Sequence, residues 1–323
     1  MISPFDSWAR LSDSLVQSAI AVLALALLAY AADLAVRRRP REVSTRDLVP
    51  STVALEAGGS TTHSADTARE APGSGSGHQA GSGATVGRVG SALTVLGVLM
   101  VVAAVAARAL AAGRAPWGNM YEFAVTGAAA AGVAYLVFLS RQPVRDLGVW
   151  VVGLVLLTLG LAATVLYTPA DDLVPVLKSY WLVVHVAAAI IAGGLFTVGF
   201  VASCLGLFRS WRRPDSAGTE RAQSIERVSR TTVLVAFPIW TFAVMAGAIW
   251  AENAWGRYWG WDPKETWAFI TWVLYAAYLH ATATAGWKGS RASLLAVAAY
   301  AAFLFNFFGV NMWIPGLHSY AGV

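Results

Sequence analysis

Eight runs of mostly apolar residues, each close to the length that crosses a bilayer, constrain this chain more than any other feature of its sequence. A helix needs about 20 residues to span the hydrocarbon core of a membrane. Hydrophobic residues make up 57% of the chain and charged residues 13%, which is typical of a polytopic membrane protein. The runs lie near residues 14–35, 89–111, 121–140, 147–167, 181–208, 231–250, 263–285 and 291–312. The sequence therefore predicts an all-α polytopic membrane protein with eight transmembrane helices.

The first run and the loop after it divide the chain into three parts. An arginine cluster follows the first run and no small-residue cleavage site is evident, so we interpret residues 1–35 as a retained transmembrane helix. Residues 36–88 are rich in Gly, Ser, Thr and Ala, and this composition predicts a disordered loop. Residues 89–323 hold the other seven runs and form the predicted core. The single cysteine, Cys204, lies inside a run, which excludes an intrachain disulfide.

The distribution of Lys and Arg predicts the orientation. Of 23 such residues, 17 lie in one alternating set of loops and 6 on the opposite side. The positive-inside rule places the set of 17 in the cytoplasm. Both termini are then on the external face, and the 36–88 loop is cytoplasmic. The net charge of +5 sets topology here and does not indicate nucleic-acid binding.

A tryptophan-rich loop separates the sixth and seventh runs on the predicted external face. Five of the 14 Trp residues lie within residues 255–272. Asp262-Pro263-Lys264-Glu265 is a helix start, with Asp as N-cap, Pro at the first helical position and Glu at the third. Trp also collects at membrane interfaces without any ligand. The alternative is a platform for a large planar ligand, for which haem is the leading candidate.

Three histidines lie in or beside the membrane. His185 is about 6 Å into the fifth run and His318 is in the tail, so both are predicted on the same face as the tryptophan loop. Two imidazoles would complete a bis-histidine haem site. His280 lies about 26 Å down the seventh run, too deep to share that site. Alone it indicates either helix packing or half of an inner haem site whose other ligand comes from elsewhere.

Several polar residues are candidates for contacts with the same ligand. Arg257 and Lys264 are cations beside the loop, although a solvated surface charge is the favoured interpretation for Lys264. The segment 116–123 repeats the combination of aromatic, Gly and polar residues. The residues predicted to contact haem are Trp255, Gly256, Arg257, Trp259, Trp261, Asp262, Trp117, Asn119 and Glu122.

These motifs resemble a known family. Trp255-Gly-x-x-Trp259-x-Trp261-Asp262 is similar to the "WWD" signature of haem-handling proteins of cytochrome c maturation, and the external loop containing it spans residues 251–266. Residues 116–123, Trp181-x-x-x-His185 and Gly316-Leu-His318 add to the match. Within that superfamily the chain resembles the CcsA (ResC) proteins of System II, labelled CcsB in some bacteria.

The resemblance implies a subunit of a cytochrome c synthase, or haem lyase, in the plasma membrane. It implies that haem b moves outward and is presented with a ResB/CcsB-type membrane partner to apocytochrome c. Thioethers then form with a Cys-x-x-Cys-His motif on the extracellular or periplasmic side. His185 and His318 would be the external iron ligands and His280 an inner ligand shared with the partner subunit. The alternatives are a haem exporter or haem-delivery protein without ligase activity, or a transporter with no haem.

Overall fold

The computed structural model describes residues 4–38, 77–170, 177–212 and 219–318, and these ranges fold into helices joined by turns and short loops. Eight long helices confirm the predicted all-α class. They are α1 (Pro4–Arg38), α2 (Gly77–Ala112), α3 (Met120–Arg141), α4 (Gly148–Thr164), α5 (Tyr180–Arg212), α6 (Glu220–Trp255), α7 (Pro263–Ala283) and α8 (Ser290–Leu304). α8 continues through a π turn (Phe305–Gly309) into the four-residue α9 (Val310–Trp313).

Seven of these elements are long and apolar enough to cross a membrane. α7 is the exception among the described helices because it carries Trp, Tyr, Thr, Lys, Glu and His along 21 residues. Its length nevertheless corresponds to about 31 Å, the thickness of a hydrocarbon core. Its first turn and its last turn lie at opposite ends of the helix bundle. The chain is therefore a multi-pass membrane protein in which α7 runs beside seven apolar spans.

The beginning of α2 differs from the sequence prediction. Residues 77–88, which the composition assigns to a disordered loop, form the first turns of α2. Small residues let α2 lie close to α1, since a Cβ at Gly87 would lie 2.6 Å from the Asp33 carboxylate. A Cβ at Gly97 would lie 2.6 Å from Leu23. From Gly87 onwards, close packing on α1 thus stabilises helix where propensity alone does not. Residues 39–76 of the predicted loop lie outside the described residues.

An ionic cluster ties three helices together at one end of the bundle. Arg37 of α1 pairs with Asp33 at 2.7 Å and with Asp146, which precedes α4, at 3.6 Å. Arg221 at the start of α6 pairs with Asp146 as well. These residues come from the loops predicted to be cytoplasmic, so the helix ends alternate as expected. Which end faces the cytoplasm remains a prediction.

α5 lies at the centre of the bundle and takes part in both main hydrophobic clusters. One cluster joins α5 to α1–α4 and to the N-terminal part of α6, and the other joins it to the rest of α6 and to α7 and α8. Phe196 of α5 stacks on Tyr275 of α7 with ring centroids 3.8 Å apart. A Cβ at Gly194 would lie 2.7 Å from the backbone of Ala130 in α3, so glycine is required at that crossing. Because α5 packs against other helices on both sides, its N-terminal turns form a rigid support for a site.

Candidate functional site

A cavity of about 210 Å³ opens between α3, α5, α6, α7 and α8 at the end of the bundle opposite the ionic cluster. Its walls are mainly aromatic and aliphatic. A second cavity of about 470 Å³ adjoins it and shares Trp117, Gly118, Leu177 and Leu182 with it. The aromatic side chains on the wall of the first cavity include Trp117, Phe123, Trp240, Trp255, Trp259 and Phe307. Such a lining suits a large, flat, apolar ligand.

His185 lines this cavity from α5. Leu182, His185, Val186 and Ala189 recur at helical spacing and present one face of α5 to the cavity. The Nδ1–H of His185 donates to the carbonyl oxygen of Ala243 in α6 at 2.6 Å. A carbonyl only accepts, so Nδ1 must carry the proton, and Nε2 is then the unprotonated nitrogen of a neutral ring. His185 is therefore held in the tautomer that can bind a metal through Nε2.

Gly247 makes room for this ring. A Cβ at Gly247 would lie 2.7 Å from Cε1 and Nδ1 of His185, closer than atoms pack. We expect Gly247→Ala to displace the imidazole and to break its bond to Ala243. If His185 ligates haem, as the resemblance implies, affinity for haem should fall by about tenfold or more. The gain in helix propensity, about 1 kcal/mol, offsets part of an overpacking cost of about 1–3 kcal/mol, so we expect a net loss of stability of about 0–2 kcal/mol.

The measurement is a haem titration followed in the Soret band, alongside a thermal melt of the purified protein. Gly160→Ala in α4 is the matched control because nothing lies within 4 Å of a Cβ built there. Equal haem affinities for Gly247→Ala and wild type would show that the position of the His185 ring does not matter.

His318 reaches the same cavity from the tail after α9. Its Nδ1–H donates to Oδ1 of Asp262 at 2.8 Å, and its ring lies 4.8 Å from that of Trp255. The backbone N–H of Leu317 donates to Oδ2 of Asp262 at 2.7 Å. A Cβ at Gly316 would lie 2.7 Å from the same carboxylate, so the tail needs glycine there. Asp262 therefore fixes both the tail and the tautomer of its histidine.

Asp262 also begins α7. Its side chain accepts from the N–H of Lys264, and Glu265 accepts from the N–H of Asp262, which confirms the predicted capping box. Burial raises the pKa of Asp262, but hydrogen bonds from His318, Leu317 and Lys264 lower it more, to about 2 from the usual 3.8. With a lowered folded-state pKa, this contribution to stability is complete above pH 3.8 and is lost as the pH falls towards 2.

The tryptophan loop contributes only part of its aromatic set to the cavity. Trp255 and Trp259 line it. Trp261 does not; it is 65% exposed and adopts a positive φ of 58°. Gly256 ends α6 in the left-handed conformation and lies outside the wall. Arg257 lies over the loop, since a Cβ at Gly260 would overlap its guanidinium. Gly256, Arg257 and Trp261 therefore lie off the cavity wall, and their contacts with a ligand stay predictions.

The segment before α3 is divided in the same way. Trp117 and Asn119 line the cavity, and Asn119 also caps α3. Glu122 does not line it, because its carboxylate is buried in ion pairs with Arg108 at 3.1 Å and Arg114 at 2.7 Å. It also accepts from the N–H of Gly118 at 2.8 Å. Glu122 therefore anchors the loop that carries Trp117, and its direct contact with haem stays a prediction.

The sequence left the surroundings of two side chains of α7, Lys264 and His280, undecided. Lys264 lines the cavity, and its ammonium donates to the carbonyl oxygen of Asn306 at 3.0 Å, so the favoured interpretation as a solvated charge was wrong. His280 is exposed on the surface of the bundle and is not part of the cavity wall. Its role as an inner ligand stays a prediction.

Sequence reasoning missed the groups that hold the histidines in place. The sequence predicts Asp262 as a helix cap and as a ligand contact. The structure adds that its carboxylate accepts from Nδ1 of His318 and so orients the imidazole. Ala243 and Gly247 carried no signal of function, although their spacing from Trp240 and Ala251 on one face of α6 places them together. Asn306 lies in the π turn, a feature often found at functional sites.

The part of the chain that matches known proteins includes every residue of this cavity wall. The family described as "Cytochrome C assembly protein" matches residues 117–318, more than half of the chain, from Trp117 on one wall to His318 on another. The chain belongs to the cytochrome c assembly protein family. Both site histidines and the tryptophan loop lie within the matched part. The resemblance inferred from the WWD-like motif is thereby confirmed, as is the place of this family member in cytochrome c biogenesis.

Relatives of this cytochrome c assembly protein span most of its length. It is 31% identical over 263 residues to "Cytochrome c biogenesis protein CcsA" of Prochlorococcus marinus (strain MIT 9312), covering 72% of this chain and 84% of the relative. It is 34% identical over 282 residues to the protein of the same name from Synechococcus elongatus, covering 72% and 87%. The assembly protein is therefore a CcsA-type member of the family.

The fold is also found in a larger protein. "Cytochrome c Heme Lyase CcmF" superposes with a TM-score of 0.60 at 20% sequence identity. The match covers 93% of this assembly protein and 46% of the CcmF chain, so the chain spans about half the length of that structure. At this identity the likeness concerns the helical arrangement alone.

Proposed function

We propose that this CcsA-type protein binds haem b in the cavity through His185 and His318 and presents it on the external face for covalent attachment to apocytochrome c. Attachment means thioether bonds between the haem vinyl groups and the cysteines of a Cys-x-x-Cys-His motif. A ResB/CcsB-type membrane subunit completes the synthase. The plasma membrane is the site of action, with the cavity on the extracellular or periplasmic side. Haem is the substrate that the protein holds and hands over.

One observation carries this proposal: two histidines from distant parts of the chain line a single aromatic cavity, each with Nδ1 bonded to an oxygen acceptor. Porphyrin supplies four nitrogens to its iron, so two imidazoles complete the coordination. Nδ1–H bonds to an oxygen behind the ring are the usual support of metal-binding histidines. Trp117, Trp255 and Trp259 offer faces on which a macrocycle packs.

The chemistry follows from positioning. When a thiol adds to a vinyl group, sulfur bonds to one carbon and the thiol proton goes to the other, so no electron acceptor is needed. The protein's task is to hold the reacting carbons and sulfurs at near-attack distance. The histidine of the Cys-x-x-Cys-His motif would replace one of the two protein ligands. His318 suits that exchange because it is on a tail, whereas His185 is on the rigid central helix.

Co-expression of the full chain with a ResB/CcsB-type subunit and an apocytochrome reporter tests the proposal. Covalent haem on the reporter, seen by haem staining after denaturing electrophoresis, is the expected result. External haem without covalent product would instead favour an exporter or a delivery protein. A purified protein that gives no bis-histidine Soret and α bands, with or without the partner, would contradict haem binding altogether.

His280 is proposed as an inner ligand that receives haem on the cytoplasmic side together with the partner subunit. It is exposed on α7, where an imidazole facing lipid is costly without a partner. We expect His280→Ala to reduce haem occupancy of the co-expressed complex several-fold while haem added to the external side still binds. Haem content per protein, measured by pyridine haemochrome, checks this. Unchanged occupancy in His280→Ala would remove the inner site.

A further inference from the structure

Three residues of the cavity wall each carry a buried polar atom that the protein itself does not satisfy. Trp117 Nε1, Glu265 Oε1 and Asn306 Oδ1 are buried and have no hydrogen-bond partner among the described residues. Buried polar groups in folded proteins are nearly always paired. Three unpaired atoms around one cavity therefore indicate that its ligand carries polar groups as well as a flat apolar face.

Lys264 adds a cation at the same place that forms no close ion pair with any described residue. Within the described residues no carboxylate oxygen lies within 4.0 Å of its ammonium. Oδ1 and Oδ2 of the neighbouring Asp262 accept from Lys264 N, His318 Nδ1 and Leu317 N instead. Lys264 is also the second residue of α7, where the positive end of the helix dipole disfavours a cation.

The π turn of the eighth span positions the acceptor that holds Lys264. In this turn Val310 N–H bonds to Phe305 O, five residues back, instead of to Asn306 O. The carbonyl oxygens of Asn306 and Phe307 accept from side chains, Lys264 Nζ at 3.0 Å and Asn311 Nδ2 at 2.7 Å. An ammonium has three donors, so two remain for a ligand. The side-chain amide of Asn306 can turn its NH₂ group towards the same ligand.

We propose that Lys264, supported by Asn306 and Trp117, forms a carboxylate subsite that holds one haem propionate. This inference rests on the proposed function and specifies how the substrate is oriented. The Lys264 ammonium supplies the N–H donors and the charge that a propionate needs. Trp117 and Asn306 line the same cavity, and each carries a polar atom without a partner that a shift of its side chain would bring to the ligand. Arg257, the other cation beside the tryptophan loop, is excluded from the subsite because its guanidinium lies over Gly260.

The subsite has a consequence for the position of the reactive groups. The two propionates of haem lie on one edge of the macrocycle and the vinyl groups on the others. Anchoring a propionate at the start of α7 therefore fixes which edge enters the cavity and where the vinyl carbons lie. Glu265, the next residue, disfavours a carboxylate on its own side of the wall. Rotated binding of haem is thereby disfavoured.

The experiment compares haem with haem dimethyl ester, in which both propionates are neutral. Each ligand is titrated into the purified full chain by absorbance, for wild type, Lys264→Met, Lys264→Arg and Arg257→Met. Wild type should bind haem about 10- to 100-fold more tightly than the diester, the range expected for hydrogen bonds to a charged group. Lys264→Met should lose this preference by binding haem more weakly with little change for the diester. Lys264→Arg should retain most of it.

Other results overturn the inference. If wild type binds both ligands equally, or if Lys264→Met weakens both by the same factor, no carboxylate subsite exists at Lys264 although haem still binds. If Arg257→Met abolishes the preference and Lys264→Met does not, the cation has been misassigned. If neither ligand gives a Soret shift with wild type, the proposed function fails and the subsite with it. The diester thus separates failure of the subsite from failure of haem binding.

Discussion

Replacing either His185 or His318 with alanine is expected to reduce haem affinity by more than about 100-fold, because loss of a supporting group behind a metal-binding histidine alone costs about 10- to 100-fold. Covalent haem on a co-expressed apocytochrome should fall to background in both variants. The low-spin bis-histidine spectrum should be lost, and any haem that remains should be five-coordinate or have water as its sixth ligand.

The effect of the two substitutions on haem binding can be distinguished from a general loss of folding. Both side chains lie on a cavity wall, so truncation leaves space rather than a clash. Added imidazole can occupy that space and restore the low-spin spectrum. Val183→Ala and Leu317→Ala are suitable controls, since these side chains neighbour the two histidines in sequence but are exposed. Normal ligation in both histidine variants, or failure of imidazole to restore any haem signal, would contradict axial coordination.

Much of the fold could be predicted from the sequence because it depends on local physics. Apolar runs of bilayer length gave eight helices. Most of the predicted ends agree with the structure to within a few residues, but α1, α2 and α6 begin about ten residues earlier than predicted. The start of α7 at Pro263 followed from its capping residues. Alternation of the helices then placed His185, His318 and the tryptophan loop at the same end of the bundle.

The details of the site depend on contacts that no local pattern encodes. His318 meets Asp262 across 56 residues, and His185 meets Ala243 across 58. Glu122 and Trp117 are close in sequence, yet one pairs with two arginines and the other faces the cavity. Lys264 and Arg257 look equivalent beside the loop, and only packing shows that one lines the cavity while the other covers Gly260.

These contacts share one design: each histidine is held by a neighbour that also closes a helix junction. Ala243 and Gly247 lie where α6 crosses α5, and Asp262 lies where the tail crosses the start of α7. Ligand geometry is therefore coupled to helix packing at both positions. A change at either junction would move an imidazole without removing it. Asp262 is the more informative residue to alter, because its side chain holds both the tail and the start of α7.

Asp262→Ala is expected to weaken haem binding by about 10- to 100-fold although Asp262 does not line the cavity. Alanine removes the acceptor of His318 Nδ1–H and of Leu317 N–H, so the tail is no longer fixed to α7. It also removes the N-cap of α7, which costs about 1 kcal/mol of stability. Asp262→Asn separates the two effects, because asparagine caps helices well but carries no charge and has a single acceptor oxygen.

The reduction potential of bound haem distinguishes a positioning role from a structural one. A carboxylate behind an imidazole makes the ring a more basic ligand, which favours ferric over ferrous iron. Haem that still binds to Asp262→Asn should therefore have a higher reduction potential than in wild type, while the thermal melt stays close to that of wild type. Asp262→Ala should show the same rise together with lower stability. If both variants bind less haem at an unchanged potential, Asp262 acts only through the fold, and the proposed link from its carboxylate through His318 to the iron is wrong.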